Sequence, residues 1–156
     1  MAYDHAIYGL FFRLVSLSCI HRLRIHTRLP IVIPERVTDT LCQTIAATAL
    51  PVVMVLHSNH ANEIDQSVMD AVSQLRAVCR SVLNQSVILK GINDSADVLV
   101  ALSERLFEAG IDPYYLNVLD RVSGAHHFDV SDLEVAALHQ ALLNALPGYL
   151  VPKLVR

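Results

Sequence analysis

A chain of 156 residues fits one domain, which could bury about two thirds of the surface that the unfolded chain exposes. Its hydrophobic fraction of 53% is high for so short a chain and indicates a parallel sheet whose strands are covered on both faces. The net charge of −3 and the scattered basic residues argue against binding to nucleic acid or to an anionic membrane surface.

The first apolar segment, residues 6–20, predicts an amphipathic helix that packs on the outside of a larger fold. Arg13 interrupts this segment, which is shorter than a membrane-spanning helix and follows Asp4 rather than a cationic stretch. We therefore expect no membrane insertion. The three cysteines, Cys19, Cys42 and Cys79, form neither an even disulfide framework nor a CxxC pattern, and we expect a protein of the reducing cytoplasm.

Apolar, β-rich runs alternate with segments of helical period along the rest of the chain. A segment with apolar residues at helical spacing follows each run. The last predicted helix begins with Ser131 and Glu134 in a capping-box arrangement and ends before Pro147. Such alternation predicts βα units around a parallel sheet. The predicted strands are residues 23–33, 52–56, 86–92 and 114–119, with a possible fifth at 149–154.

Four to five βα units suit part of a TIM-type (β/α) barrel better than a complete barrel, which normally needs more strands. A doubly wound sheet stays open as an alternative, but no Gly-rich turn follows any strand to support a dinucleotide fold. We therefore predict an α/β fold consisting of a partial barrel. Its open edge would leave strand hydrogen-bonding groups unpaired and could drive self-association.

Ionisable and amide side chains follow each predicted strand, where a barrel presents its active site. His57 and His60 could ligate a metal, although an HxxH pattern in a loop is more often a hydrogen-bonded structure. Glu63 could be catalytic or could cap the next helix. Lys90 on an apolar strand would be buried and would need a partner or a ligand anion, and a similar argument applies to Asp120.

Five collinear segments resemble the lysine 2,3-aminomutase family of radical S-adenosylmethionine (SAM) enzymes. The LKGIND and YYL…LDRV versions are most similar to the branch that makes β-lysine for modification of elongation factor P. The resemblance runs from about residue 20 to residue 156 and leaves residues 1–19 as an unmatched, helix-like segment. The segments are HTRLPIVIPERVT (26–38), HSNHANEID (57–65), LNQSVILKGIND (83–94), GIDPYYLNVLDRVSGAHHF (110–128) and LPGYLVPKLVR (146–156).

The resemblance implies a radical SAM barrel that uses SAM, a [4Fe-4S] cluster and pyridoxal phosphate (PLP) to convert lysine to β-lysine. By the same resemblance, Asp120 would pair with the distal ammonium group of the lysine substrate. An anion inside an apolar barrel suits that role. The residues that would contact SAM are His57 and Gln85. Their neighbours at the same rim, the edge of the barrel where the strands end, are Asn59, Asn84 and Lys90.

The departures from the family pattern predict that this chain is inactive alone. The family's CxxxCxxC cluster motif has no counterpart here. Its PLP lysine lies downstream of the GYLVPK segment, so Lys153 does not take that role. We therefore expect neither catalytic residues nor metal ligands in this chain, which would be a C-terminal enzyme fragment. The alternative is a non-catalytic, SAM- or lysine-binding half-barrel that associates with another chain. A barrel hydrolase using His57, His60 and Asp120 fits the collinear motifs less well.

Overall fold

The computed structural model describes residues 2–120 and 124–156, with side chains from residue 6 onward. Within these residues the fold is α/β, and one sheet holds five strands in the order β1-β2-β3-β4-β5. Every neighbouring pair is parallel, so the carboxyl ends of all strands meet at one edge of the sheet. The strands are β1 (Leu23–His26), β2 (Val52–His57), β3 (Ser81–Val87), β4 (Asp112–Asn117) and β5 (Lys153–Val155).

Helices connect the strands, and polar side chains cap most of the longer ones. The side chains of Thr38, Asp65, Ser95 and Ser131 each accept a hydrogen bond from a backbone N–H in the first helical turn. Such caps satisfy donors that the helix itself leaves unpaired. The predicted capping box at Ser131 is confirmed. The helices are α1 (Ala2–Val15), α2 (Leu29–Val32), α3 (Asp39–Ala46), α4 (Gln66–Val78), α5 (Ala96–Glu108) and α6 (Asp132–Ala145).

The two faces of the sheet have different surroundings, because alternate residues of a strand point to opposite sides. On the helix-covered face, Met54, Leu56 and Val82 join a buried cluster with α3 and α4, and Leu116 joins a second cluster with α5 and α6. The other face, which we call the open face, belongs to neither cluster. Its residues include Arg24, Val55, His57, Gln85, Tyr115 and Lys153.

Two predicted strands have the wrong bounds. The first was expected to run to residue 33, but the strand stops at His26 and Leu29–Val32 is helical, because Pro30 cannot donate to a strand ladder and suits a first helical turn. The third was expected at residues 86–92, but β3 is Ser81–Val87. The apolar-run criterion missed its first half because Asn84, a polar residue that is buried there through hydrogen bonds, interrupts the apolar pattern.

The remaining elements agree more closely with expectation. The second and fourth strands shift by at most two residues at either end, whereas the fifth is reduced to Lys153–Val155 because Gly148–Leu150 forms a 3-10 turn. The amphipathic N-terminal segment is helical over Ala2–Val15. None of the helices in the described part of the chain has the length and apolar character needed to cross a membrane.

Candidate functional site

A buried amide network fixes the backbone at the carboxyl end of β2. Asn84 on β3 is 1% exposed, and its Oδ1 accepts a hydrogen bond from the Ser58 N–H at 2.9 Å. Its Nδ2 donates to the Ser58 carbonyl at 3.0 Å and to the Ser86 hydroxyl at 2.8 Å. Asn84 therefore uses its amide inside the protein, on the helix-covered face. Its predicted contact with SAM stays a prediction.

A second network joins the loop after β2 to the loop after β3. Asn59 Oδ1 accepts from the Val87 N–H at 2.9 Å. Asn93, which is fully buried, donates through Nδ2 to the carbonyls of Asn59 and Val87, both at 2.9 Å, and its Oδ1 accepts from the Leu89 N–H at 2.7 Å. Asn59 thus orders the rim through hydrogen bonds within the protein, and its predicted role toward SAM stays a prediction.

Glu63 ties the loops after β1 and β2 together. Its Oε1 accepts from the N–H groups of Asn59 and His60 at 2.7 and 3.0 Å, and its Oε2 pairs with the Arg28 guanidinium at 2.7 Å. It completes a capping box with His60 on the 3-10 turn Ala61–Glu63. Glu63 therefore acts as a cap, but of this 3-10 turn and not of the next helix as expected, because Asp65 caps α4.

His57 ends β2 on the open face and lies among charged neighbours. Burial lowers the pKa of His57, and the nearby Arg28 and His26 lower it further, while Glu63 opposes them. The imidazole is therefore held in its neutral form at neutral pH, in which one ring nitrogen donates a hydrogen bond and the other accepts. None of the described residues forms a hydrogen bond with this side chain, so both nitrogens can face a ligand.

One row of the sheet brings the predicted site residue Gln85 beside His57. His57 pairs in register with Gln85, Gln85 with Tyr115, and Tyr115 with Lys153. Residues in register on parallel strands share a face, so these four side chains stand side by side on the open face. The Gln85 amide has no hydrogen-bond partner among the described residues, in contrast to the buried amide of its neighbour Asn84.

The other predicted site residues lie away from this row. Lys90 was expected on a buried strand, and that is wrong: it is exposed in a turn beyond the end of β3, where it lines a shallow cleft with Asp94 and Glu134. Asp120 is exposed, three residues after the end of β4. Its neighbour Arg121 lies outside the described residues. The roles of Lys90 and Asp120 toward ligands stay predictions.

The chemistry of the donor groups does not fit an iron–sulfur cluster or a metal centre. Among the described residues, no group of three His, Cys, Asp or Glu could hold a metal ion. Burial raises the pKa of Cys79 to about 11, with Cys42 adding to the effect, so this thiol is protonated at neutral pH. His60 Nδ1 accepts from the Asn62 N–H at 3.1 Å, which confirms the hydrogen-bonded interpretation of that histidine.

Sequence reasoning missed several residues that build the site. Ser58, Ser86 and Asn93 were not singled out, although each is buried and hydrogen-bonded at the rim. Their sequence signal was available, since small polar residues at the ends of apolar strands need partners when buried. The two neighbouring tyrosines, Tyr114 and Tyr115, were noticed only as part of a motif.

The fold and the rim define the chain as an α/β protein with polar side chains gathered at the carboxyl ends of parallel strands, where ligands bind in this class. No family model matches the chain. Curated relatives do match, among them three bacterial proteins named L-lysine 2,3-aminomutase. The protein from Haemophilus influenzae is 52% identical over 156 residues, which is 100% of this chain and 46% of the relative. The protein from Escherichia coli is 50% identical with the same coverage, and that from Buchnera aphidicola is 46% identical over 155 residues.

These matches confirm the predicted resemblance: over its whole length the chain is similar to the C-terminal portion of proteins named L-lysine 2,3-aminomutase. It spans about 46% of the length of these three curated relatives. The first two alignments include residues 1–19, where the sequence motifs gave no resemblance. The proposed division of the chain at residue 20 stays a prediction.

Proposed function

We propose that this chain forms the C-terminal part of a lysine 2,3-aminomutase barrel and supplies one wall of its SAM- and lysine-binding site. The observation that carries the proposal is the pairing of His57 with Gln85 in register on the open face. Both side chains stand at the carboxyl ends of parallel strands, where α/β enzymes place their ligands. The identity of 50–52% to proteins named L-lysine 2,3-aminomutase supports the choice of reaction.

Two observations on the open face support a curved sheet and therefore the proposed partial barrel. Strands β1 and β4 are separated by β2 and β3, which would place them about 14 Å apart in a flat sheet. The guanidinium carbon of Arg24 on β1 nevertheless lies 5.3 Å from the ring centroid of Tyr114 on β4. Val55 is only 1% exposed, although it lies on the face that the helices leave uncovered. Both observations fit a sheet that curls around its open face.

In the proposed site, this chain's residues bind and orient ligands rather than react. The neutral imidazole of His57 and the amide of Gln85 would hold SAM by hydrogen bonds in which each offers a donor and an acceptor. Asp120 would receive the distal ammonium group of lysine. In a complete enzyme the cluster, SAM and PLP would supply the radical chemistry and the stabilisation of the substrate. The thiols of this chain do not fit the cluster, so no step is assigned to it here.

Two edges of the sheet remain available for assembly in the proposed half-barrel. Strands β1 and β5 each pair on one side only within the described residues. Unpaired edge strands template further pairing, so we propose that these edges join the rest of a barrel or a second copy of the chain. A cytoplasmic enzyme that serves elongation factor P modification would fit the branch whose motifs the sequence carries. No observation favours the non-catalytic alternative.

Isothermal titration calorimetry with SAM directly tests whether His57 and Gln85 contribute to SAM binding. We expect His57→Ala and Gln85→Ala each to weaken SAM binding by roughly tenfold, since each removes hydrogen bonds to the ligand worth about 1.4 kcal/mol. Gln140→Ala, which alters an exposed amide on α6, is the matched control and should leave the affinity unchanged. Equal affinities for the three variants and the parent chain would contradict the proposal.

The predicted inactivity of the isolated chain needs a separate measurement. The protein is reconstituted anaerobically with iron, sulfide and PLP and then assayed for SAM cleavage and β-lysine formation. We expect neither product, because the described thiols do not form a cluster site. A brown protein that cleaves SAM would overturn this expectation while leaving the binding wall testable by titration.

A further inference from the structure

A bulge in β4 places two consecutive tyrosines on the open face. Asn84 pairs with Pro113 and Gln85 pairs with Tyr115, so Tyr114 is an extra residue in the ladder. Without a bulge, consecutive residues would point to opposite faces. Here the two phenol rings stack with centroids 3.8 Å apart, and the Tyr114 hydroxyl donates to the Tyr115 hydroxyl at 2.9 Å. Bulges commonly re-aim a side chain next to a functional site.

Two cations flank this tyrosine pair on the open face, one from each edge strand of the sheet. Arg24 of β1 places its guanidinium carbon 5.3 Å from the Tyr114 ring centroid. Lys153 of β5 pairs in register with Tyr115. The hydrogen bond to Tyr115 is the main cause that raises the pKa of Tyr114, whereas the charges of Arg24 and Lys153 act to lower it. No carboxylate contributes to the charges that act on this group.

The cluster has more hydrogen-bond donors than the protein uses. The two phenols share a single hydrogen bond, so one hydroxyl proton is left to donate. Among the described residues, the guanidinium of Arg24 and the ammonium of Lys153 have no hydrogen-bonded or ion-paired acceptor. Both side chains are exposed. Positively charged groups that have no hydrogen-bond acceptor within the protein can donate hydrogen bonds to the oxygens of a bound anion.

We propose that Arg24, Tyr115 and Lys153 form a binding site for the oxyanion of a small molecule, a phosphate or a carboxylate group. The guanidinium offers a planar pair of donors, the ammonium a point charge and the phenol a directed hydrogen bond. The site lies on the same face as His57 and Gln85, so an anion held here would belong to a ligand bound against the open face. A simple anion can be tested in the absence of SAM. A negative result for this anion site can therefore be distinguished from a negative result for SAM binding at His57 and Gln85.

Titration of the whole chain with inorganic phosphate and with acetate, followed by nuclear magnetic resonance, tests the site. We expect saturable shifts of the backbone signals of Tyr115 and Lys153. Arg24→Gln and Lys153→Gln should each weaken binding by roughly fivefold, and Tyr115→Phe by about twofold, since charged donors bind anions more strongly than neutral ones. Tighter binding of phosphate would identify a phosphate ligand, and tighter binding of acetate a carboxylate; either order supports the site.

Arg13→Gln is the matched control, because it removes one exposed positive charge from α1. It should leave the affinity unchanged, whereas an equal loss in this control would mean that only the net charge matters and would overturn the proposal. Absence of saturable shifts in the parent chain would overturn it as well. Thermal unfolding of each variant, monitored by circular dichroism, separates a loss of binding from a loss of folding.

Discussion

The helix-covered face and the open face of the sheet differ in burial and in hydrogen bonding. On the first, Leu56 and Leu75 are fully buried and pack among the side chains of α4. On the second, His57 and Gln85 stay partly exposed and lack hydrogen-bond partners among the described residues. Burial of apolar surface stabilises a fold, whereas unpaired polar groups bind ligands. Substitutions on the two faces should therefore affect different properties.

The largest effect on stability is expected from Leu75→Ala, on the helix-covered face. Removing this fully buried side chain leaves a cavity beneath α4 and should lower the free energy of unfolding by about 3 kcal/mol. Urea denaturation measures this change. Leu133→Ala is the matched control: Leu133 is 82% exposed on α6, and its loss should cost less than about 0.5 kcal/mol. Similar costs at both positions would show that the helix-covered face is not the main source of stability.

A smaller effect is expected where the two faces meet, at Asn84 and Gln85. Asn84→Ala leaves the buried Ser58 N–H without its acceptor and should lower the free energy of unfolding by about 2 kcal/mol. The Ser58 carbonyl keeps its hydrogen bond from Ser86, which limits the loss. Urea denaturation and exchange of the Ser58 amide proton would measure both consequences.

Gln85→Ala serves as the control for Asn84→Ala, since it truncates the same kind of side chain one position later on the open face. We expect it to change stability by less than about 0.5 kcal/mol, because it removes no hydrogen bond to the described residues. Its effect should be on SAM affinity instead. A stability loss as large as that of Asn84→Ala would contradict the division between the faces.

The amino-acid sequence was sufficient for the repeated βα pattern, because apolar strands and capped helices leave local signatures. It was insufficient at Pro30, which turned a predicted strand into a helical turn, and in β3, where buried Asn84 does not look like a strand residue. Such burial depends on Ser58, which is distant in the sequence. The bulge at Tyr114 is also set by pairing between strands, which no local pattern records.

For the candidate site, the sequence placed polar residues at the strand ends but did not show which face of the sheet each one occupies. His57 and Gln85 share the open face in register, whereas Asn84 lies on the opposite face. A shift of one residue along a strand changes the face, so a motif alone cannot distinguish side chains on the open face from buried supports. The exposure of Lys90 in a turn could not be inferred while the end of β3 was placed five residues too late.

The smallest expected effect concerns the pKa of His57, which reports on the charges around the open face. Burial lowers this pKa most, and Arg28 and His26 add to the effect, whereas Glu63 raises it. Arg28→Gln should therefore raise the pKa of His57, and Glu63→Gln should lower it, as measured by the pH dependence of its ring proton resonances. Glu108→Gln, which breaks an exposed pair with Arg105 on α5, is the control and should leave that pKa unchanged.

The same shift makes stability depend on pH in a definite direction. The pKa of His57 is lower in the folded chain than in the unfolded chain, where it is about 6.5. As the pH falls below about 6.5, the imidazole therefore binds a proton more readily in the unfolded chain. The neutral imidazole therefore makes its full contribution to the free energy of unfolding at pH values above the unfolded pKa. That contribution is lost as the pH falls through the pKa of the folded chain. His57→Gln should flatten the stability profile in that window, with the contribution of His26, whose pKa burial and Arg24 also lower, remaining. An unchanged profile in the variant would mean that His57 is not the group that couples the open face to pH.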